Sequence, residues 1–279
     1  GPAGAPTPVE TPSPATPNRS AEMTGGAAPP LRARIWPAAI RTGFSVARRL
    51  GYIPTEWSRR ARLISHLGAT LVLDVGAHLG DWSDQLRRAG YEGRIVSFEP
   101  LAAGYARLEA AAASDPNWVC RRIAVGDRDG TVEMNVSENP QSSSLLSISE
   151  RHRRSAPESA YVSRERVPMT RLDTIWDQLA TSSDRVFIKL DVQGFELHAL
   201  RGAEASLASV VGLHVELSLV PLYEDGPLYL EVVENLRDRG FRLAGVDPVL
   251  EDAETGELLQ MDGIFVRDQA AGEGGGARQ

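Results

Sequence analysis

Along residues 71–268, short apolar blocks alternate with stretches whose apolar positions recur every three or four residues. The first pattern predicts buried strands, the second amphipathic helices packed on them. The opening unit is residues 71–82, LVLDVGAHLGDW, where Leu71, Val72 and Leu73 lead into Asp74 and glycines stand at 76 and 80. It reads as a strand, a tight turn and a helix over about 80–89. Further strands are predicted at 94–99, 118–125, 185–192 and 210–218, with helices at 101–113, 172–180, 195–208 and 228–239. Residues 131–136 and 165–170 read as shorter strands, the former an antiparallel addition. Strands at 241–247 and 263–268 flank an acidic loop and form a terminal hairpin.

Strands joined through helices pair in parallel by right-handed crossovers, whereas the hairpin forces one antiparallel strand. The expected fold is α/β: a Rossmann-like sheet of seven strands, mostly parallel with an antiparallel C-terminal hairpin strand, and helices on both faces. This domain spans 68–268, and its polar, serine-rich stretch 137–164 reads as a lid insertion. Residues 1–30 have almost nothing to bury and read as a disordered tail, and 269–279 as a flexible one. Residues 31–67 read as a basic helical cap: Trp36, Ile40, Phe44 and Ala47 share a helix face, and eight arginines face the single acid Glu56. That cap either packs on the core or touches an anionic membrane surface.

Chemistry enters at the first turn. Gly76 lets the backbone pass close to a ligand, and Gly80 lets the helix start near the strand end. The free N–H groups of that first helical turn point into the same crevice. Glu99, which ends the second strand, is placed to grip a ribose diol. A dinucleotide site would show G-x-G-x-x-G; the order here is D-x-G-x-x-x-G, so a diphosphate cradle is incomplete.

Charge and composition narrow the field. The chain has 279 residues and a net charge of −7, which argues against a nucleic-acid binder. One cysteine, Cys120, excludes an internal disulfide and a cysteine-built zinc site. No apolar run reaches the ~20 residues of a membrane span, so a cytoplasmic location is the expectation. Lys189 is the only lysine in an otherwise arginine-based chain; the bias reads either as genome composition or, at Lys189, as a place where a guanidinium does not fit.

The pair Asp74-x-Gly76-x-x-x-Gly80 and Glu99 resembles the S-adenosylmethionine site of the seven-strand methyltransferases. The wider succession LVLDVGAHLG, VSFEP, RRIAVGDRDG, SSSLL, LDTIW, FIKLDVQGFELHALRG, HVELSLVPLYE and GFRL resembles the FkbM-type methyltransferases over about residues 65–268. The resemblance implies a class I methyltransferase fold. It also implies S-adenosylmethionine-dependent O-methylation of a sugar, glycolipid or polyketide-like metabolite, as in glycan modification or secondary metabolism. It assigns Asp74, Gly76, Ala77, His78 and Gly80 to the methionine and ribose side of the cofactor. Glu99 and Pro100 then take the ribose hydroxyls, Ala124 and Val125 frame the adenine, and Asp191 sits near the transferred methyl. His78 stands where the family commonly has asparagine, and Gln193 where it commonly has glutamate.

A hydroxyl acceptor must lose its proton, so one base beside it is expected. The candidates are Asp191, Glu216, His214 and Lys189, with His198 as a surface or packing residue. Lys189 shares a strand face with Asp191, as an ion-pair partner or as a base of lowered pKa. Ser143, Ser144, Gln193 and Tyr223 are the candidate acceptor contacts, and Arg151, Arg153 and Arg154 offer guanidinium forks to a polar or anionic acceptor. Asp191, His214 and Glu216 hold metal-ligand types but no compact ligand motif, so no metal is expected. The partner is therefore a small-molecule or glycan acceptor, not nucleic acid. Two other readings remain: a nicotinamide-dependent oxidoreductase, and an S-adenosylmethionine-binding protein without catalysis.

Overall fold

The computed structural model describes Gly1 and residues 56–268. The expected tails 1–30 and 269–279, and the helix carrying Trp36, Ile40, Phe44 and Ala47, lie outside the described residues.

Ten strands and seven α-helices follow one another in the described chain. Helix α1 is Glu56–His66, and β1 is Leu71–Val75. Then come α2 (Asp81–Arg88), β2 (Arg94–Phe98), α3 (Ala102–Ala112) and β3 (Trp118–Arg121). A second group holds β4 (Ala124–Val125), β5 (Gly130–Ser137), α4 (Glu150–Ser155) and β6 (Tyr161–Thr170). The rest is α5 (Leu172–Leu179), β7 (Val186–Leu190), α6 (Glu196–Arg201), β8 (Val210–Ser218), α7 (Tyr229–Asp238), β9 (Phe241–Glu251) and β10 (Leu258–Arg267).

Seven strands form one sheet in the order β3-β2-β1-β7-β8-β10-β9. The first five are parallel, and β10 runs antiparallel to both β8 and β9. This is the class I methyltransferase arrangement expected from the strand count and the terminal hairpin. Chain order reverses between β1 and β7, which opens a crevice above their carboxyl ends.

Alternation along each strand sorts the core into two layers. Leu71, Leu73, Ile188, Leu190, Leu213 and Val215 face α5, α6 and α7. Val72, Ile95 and Phe187 face α1, α2 and α3 through Ile64, Leu86 and Leu108. The second face also carries a polar row, because Ser97, Asp74, Lys189 and His214 are cross-strand partners in register. A row of buried polar groups survives only if they bond one another.

The structure corrects four details. The expected strand 118–125 breaks after Arg121; Ala124 and Val125 instead join β6 in a separate three-stranded sheet, β4-β6-β5. Residues 131–136 are antiparallel as expected, but to β6 and outside the main sheet. The helix expected over 195–208 ends at Arg201, with Gly202 as its C-cap packed so close to the residue after β4 that a Cβ there would fall 1.8 Å from the Gly126 oxygen. Finally, β9 and β10 are each longer than the hairpin strands read from sequence.

The 137–164 segment is anchored at both flanks. Ser144 bridges to Asn135, and Ile148 to Tyr223 of the 219–227 loop. Ser149 Oγ donates to Pro221 O at 2.9 Å, and Glu224 N to Ser147 O at 2.8 Å. Arg151 pairs with Glu257 at 2.5 Å, and Ser155 Oγ bonds Asp252 at 3.2 Å. The strap is thus tied to the tip of the β9–β10 hairpin.

Candidate active site

A cavity of about 280 Å³ opens above the carboxyl ends of β1 and β7. Of the residues singled out from sequence, Gly76, Ala77, His78, Glu99, Pro100, Ala124, Val125, Ser143, Lys189, Asp191, Gln193 and Glu216 line it. Asp74, Gly80, Ser144, His214 and Tyr223 do not.

One end of the cavity is built by the β1 and β2 loops. Glu99 is buried, and its carboxylate accepts from His78 N and Leu101 N, both at 2.9 Å. Burial pushes its pKa up to about 7 against the pull of those two main-chain bonds. His78 sits at φ 50 beside it, and its buried Nε2 has no protein partner. Burial lowers the pKa of that imidazole. Ala124, Val125, Ile123, Leu101 and Phe195 supply an apolar wall.

The other end is acidic. Asp191, just past β7, offers Oδ1 to Gln193 Nε2 at 2.6 Å and Oδ2 to Lys189 at 3.4 Å. Glu216 near the end of β8 accepts from the same Gln193 nitrogen at 2.9 Å. Burial, then the charges of Asp191, Glu196 and Asp262, push the Glu216 carboxyl well above the usual range. The Gln193 carbonyl accepts from the Tyr223 hydroxyl, and its main-chain oxygen from Ser144 Oγ at 2.6 Å.

Beneath the cavity lies the polar row. Lys189 Nζ donates to Gly76 O at 2.6 Å and pairs with Asp74 at 3.3 Å. Burial alone would lower its pKa, but Asp191 and Asp74 outweigh that and raise it, so the ammonium stays charged. A proton-free Lys189 base therefore has no support here. Asp74 is fully buried and also accepts from Ser83 Oγ at 2.6 Å and Ser97 Oγ at 3.3 Å. It acts on the cavity through the lysine rather than from the wall. Gly80 packs under Leu108 and Trp118, where a Cβ would lie 2.9 Å from Leu108 Cδ1.

His214 points away from the cavity. Its Nδ1 accepts from Trp82 Nε1 at 3.0 Å, and its Nε2 meets Asp262 at 2.9 Å. His198 stacks on Phe195 and bonds Asp127 at 2.6 Å. Ser143 lines the cavity, its Oγ accepting from Ser137 N at 3.1 Å, and Ser144 is fully buried. None of Arg151, Arg153 and Arg154 reaches the cavity, and Arg151 is engaged by Glu257. Among the described residues no group of three His, Cys, Asp or Glu side chains is placed to hold a metal ion.

Sequence reasoning missed Asp81, Trp82, Met134, Gln141, Leu145 and Val249 on the wall. Trp82 had a signal, since it follows Gly80 in the first turn of α2 at the crevice. Val249 arrives through the long hairpin and left no local signal.

The arrangement suits a nucleoside with a diol at Glu99, its base against the apolar wall, and a reacting group near Asp191. A family model described as "Methyltransferase FkbM domain" matches residues 74–243. Among solved structures, the chain is similar to a putative methyltransferase from Thermobifida fusca YX, with 14% identity over 76% of this chain and 79% of that one and a TM-score of 0.44. It is similar to 1,6-didemethyltoxoflavin-N1-methyltransferase from Burkholderia thailandensis, with 14% identity, 86% and 92% covered and a TM-score of 0.38. It is also similar to fibrillarin from Aeropyrum pernix, with 10% identity, 71% and 66% covered and a TM-score of 0.40. No curated protein matches the chain.

Proposed function

The chain belongs to the FkbM methyltransferase family, and we propose that it methylates a hydroxyl group of an uncharged small molecule or glycan. A sugar, a glycolipid and a polyketide-like metabolite all fit that description. The cofactor is S-adenosylmethionine, which supplies an electrophilic methyl on a sulfonium. The residues present fit it. The buried His78 Nε2 lacks a protein partner, and Glu99 lines the cavity beside it.

The observation that carries the proposal is one cavity lined together by Glu99, Asp191 and Glu216. Glu99 orients the ribose, and the apolar wall of Ile123, Ala124 and Val125 receives the adenine. Methyl transfer then needs mainly alignment, with the acceptor oxygen held about 3 Å from the methyl carbon. Asp191 takes the acceptor proton: it lines the cavity, and its partially exposed carboxylate is already oriented by Gln193 and Lys189.

Charge selects the acceptor. Asp81 and Asp191 line the cavity beside Glu99 and Glu216, whose burial raises their pKa values, and the one cation among the described lining residues, Lys189, already contacts Gly76, Asp74 and Asp191. No arginine among the described residues lines it. Phosphorylated, sulfated or carboxylated acceptors would meet repulsion, so of the polar or anionic acceptors read from the strap arginines the polar, uncharged ones are favoured.

The test is incubation with methyl-labelled S-adenosylmethionine and a panel of neutral glycosides and hydroxylated lipids, beside their phosphorylated counterparts. Label in the neutral compounds supports the proposal. Label confined to anionic compounds or amines overturns it, and cofactor binding with no transfer to any of them favours the non-catalytic reading. Calorimetry with NAD and S-adenosylmethionine separates off the oxidoreductase reading, which requires the former to bind.

A further inference from the structure

We propose that Gln193 is a positioning residue that orders the Asp191–Glu216 pair and couples that order to the seating of the 137–164 strap. The inference rests on the reading that Asp191 faces the acceptor.

The amide stands between two carboxylates. Its Nε2 lies 2.6 Å from Asp191 Oδ1 and 2.9 Å from Glu216 Oε2. Only an NH2 group suits a position between two acceptor oxygens, because the amide oxygen would be repelled there. The two N–H bonds are divided, one to each acid. The carbonyl consequently turns outward, where the Tyr223 hydroxyl donates to it. A glutamate at this position would have no donor for either neighbour and would add a third acid to the pair.

The same residue is a structural junction. Its φ of 55° is the left-handed region, which is uncommon for a residue with a long side chain. Two elements hold it there. Ser144 of the strap donates its hydroxyl to the Gln193 main-chain oxygen at 2.6 Å, and Ser144 is itself paired with Asn135. The Tyr223 ring packs so closely on the next residue, Gly194, that a Cβ there would lie 2.8 Å from it. The strap and the 219–227 loop therefore both reach the acid pair through one side chain and one peptide.

The ordering has a chemical use. Glu216 is 7% exposed, whereas the Asp191 side chain is 37% exposed and bonds Lys189 with its second oxygen. Around the pair stand Asp74 and His78 from the β1 side, Lys189 from β7, Glu196 from α6, Tyr223 from the loop and Asp262 from β10. In that setting burial and the neighbouring acids raise the pKa of Glu216, and the more exposed Asp191 receives the acceptor's proton. The O–H bond breaks with its proton passing to Asp191, the oxygen pair forms the O–C bond, and the C–S pair leaves with sulfur as a neutral thioether. Charge balances, since a sulfonium and a carboxylate become a thioether and a carboxylic acid. The proton then leaves to water.

The test reads titration directly. Carboxyl 13C resonances of labelled Asp and Glu, assigned with Asp191→Asn and Glu216→Gln, are followed against pH in the wild type, Gln193→Met and Ser144→Ala. Loss of two N–H donors disfavours the ionised forms. The midpoints of the pair therefore rise by about one pH unit in Gln193→Met. In Ser144→Ala, which leaves the amide in place but unlocks its peptide, they move the same way by roughly half as much. Midpoints unmoved in Ser144→Ala would overturn the coupling to the strap, and midpoints unmoved in Gln193→Met would overturn the ordering role. If Gln193→Met does not fold, Gln193→Asn, whose shorter amide reaches only one acid, replaces it: the pair must then separate, with the unreached acid rising. Calorimetry with S-adenosylmethionine on the wild type keeps the two readings apart. Failure of the cofactor to bind sinks the proposed function, whereas binding with unmoved midpoints sinks only this inference.

Discussion

A Cβ on Gly76 would lie 1.8 Å from the main-chain oxygen of Asp191. The turn after β1 and the turn after β7 thus meet backbone to backbone at the reversal point of the sheet, and no side chain can be inserted between them. The conformation adds a second demand, since Gly76 sits at φ 77. Gly76→Ala must either push Asp191 off the cavity or open the β1–β7 pair. It is expected to cost about 3 kcal/mol or more in stability and to abolish measurable S-adenosylmethionine binding. Thermal melting and calorimetry check both; a variant that melts and binds like the wild type would mean that this contact is slack.

Glu99 makes cofactor affinity depend on pH. Its folded-state pKa of about 7 is raised above the ordinary 4.5 by burial. The sign follows: the group's contribution to stability is complete below 4.5 and is lost as pH rises through 7. Ribose hydroxyls donate best to the ionised carboxylate, so binding recovers part of that loss. S-adenosylmethionine should bind roughly tenfold more tightly at pH 8 than at pH 6. In Glu99→Gln the same comparison should be nearly flat and the affinity lower throughout. Calorimetric titrations of both proteins at the two pH values isolate the Glu99 contribution from other titrating groups.

How far the sequence could carry the fold depended on how local each signal was. The β1–turn–α2 unit was readable because Leu71, Val72, Leu73 and the two glycines lie within ten residues of one another. Strand β8 matched its apolar run end to end, Val210 to Ser218. The break after Arg121 was not readable, since Ile123, Ala124 and Val125 suit either sheet and the partner, Met169 to Thr170, is distant in sequence. At the site, alternation placed His214 and Glu216 on one face but said nothing about depth. One step along the strand decides that Glu216 reaches the cavity while His214 meets Trp82 below it. The same holds for Asp74, which shares the right strand end yet serves Lys189 from underneath.

That buried pair gives a stability prediction. Asp74 is fully buried, and among the described residues Lys189 is the cation paired with it. Lys189→Met leaves its carboxylate uncompensated and should cost about 3–5 kcal/mol. Adding Asp74→Asn should restore much of the loss, because the amide oxygen still accepts from Ser83 and Ser97 while the buried charge is gone. Chemical denaturation of the two single variants and the double variant measures the coupling. Additive losses would mean that the ammonium acts through Gly76 and Asp191 alone.

His214 is the sequence candidate whose role the structure reassigns most fully, and its hydrogen bonds say why. An indole N–H only donates, so the bond from Trp82 requires an unprotonated Nδ1 and leaves the proton on Nε2, facing Asp262. Asp262 also takes Arg60 at 3.0 Å, and the Arg60 guanidinium lies 4.8 Å above the Trp57 ring. Neither imidazole nitrogen is free to receive a proton from an acceptor in the cavity. What His214 does is hold the plane of Trp82, which lines that cavity. His214→Ala should therefore lose about 2–4 kcal/mol of stability through the unpaired indole and carboxylate. Acceptor KM should rise as Trp82 loosens, with kcat per folded molecule changing by no more than about threefold, far less than the ~10²–10⁴-fold that a lost general base costs. Steady-state kinetics on the folded fraction, quantified by denaturant titration, decides the matter: a kcat collapse at unchanged KM would return His214 to the list of bases and displace Asp191.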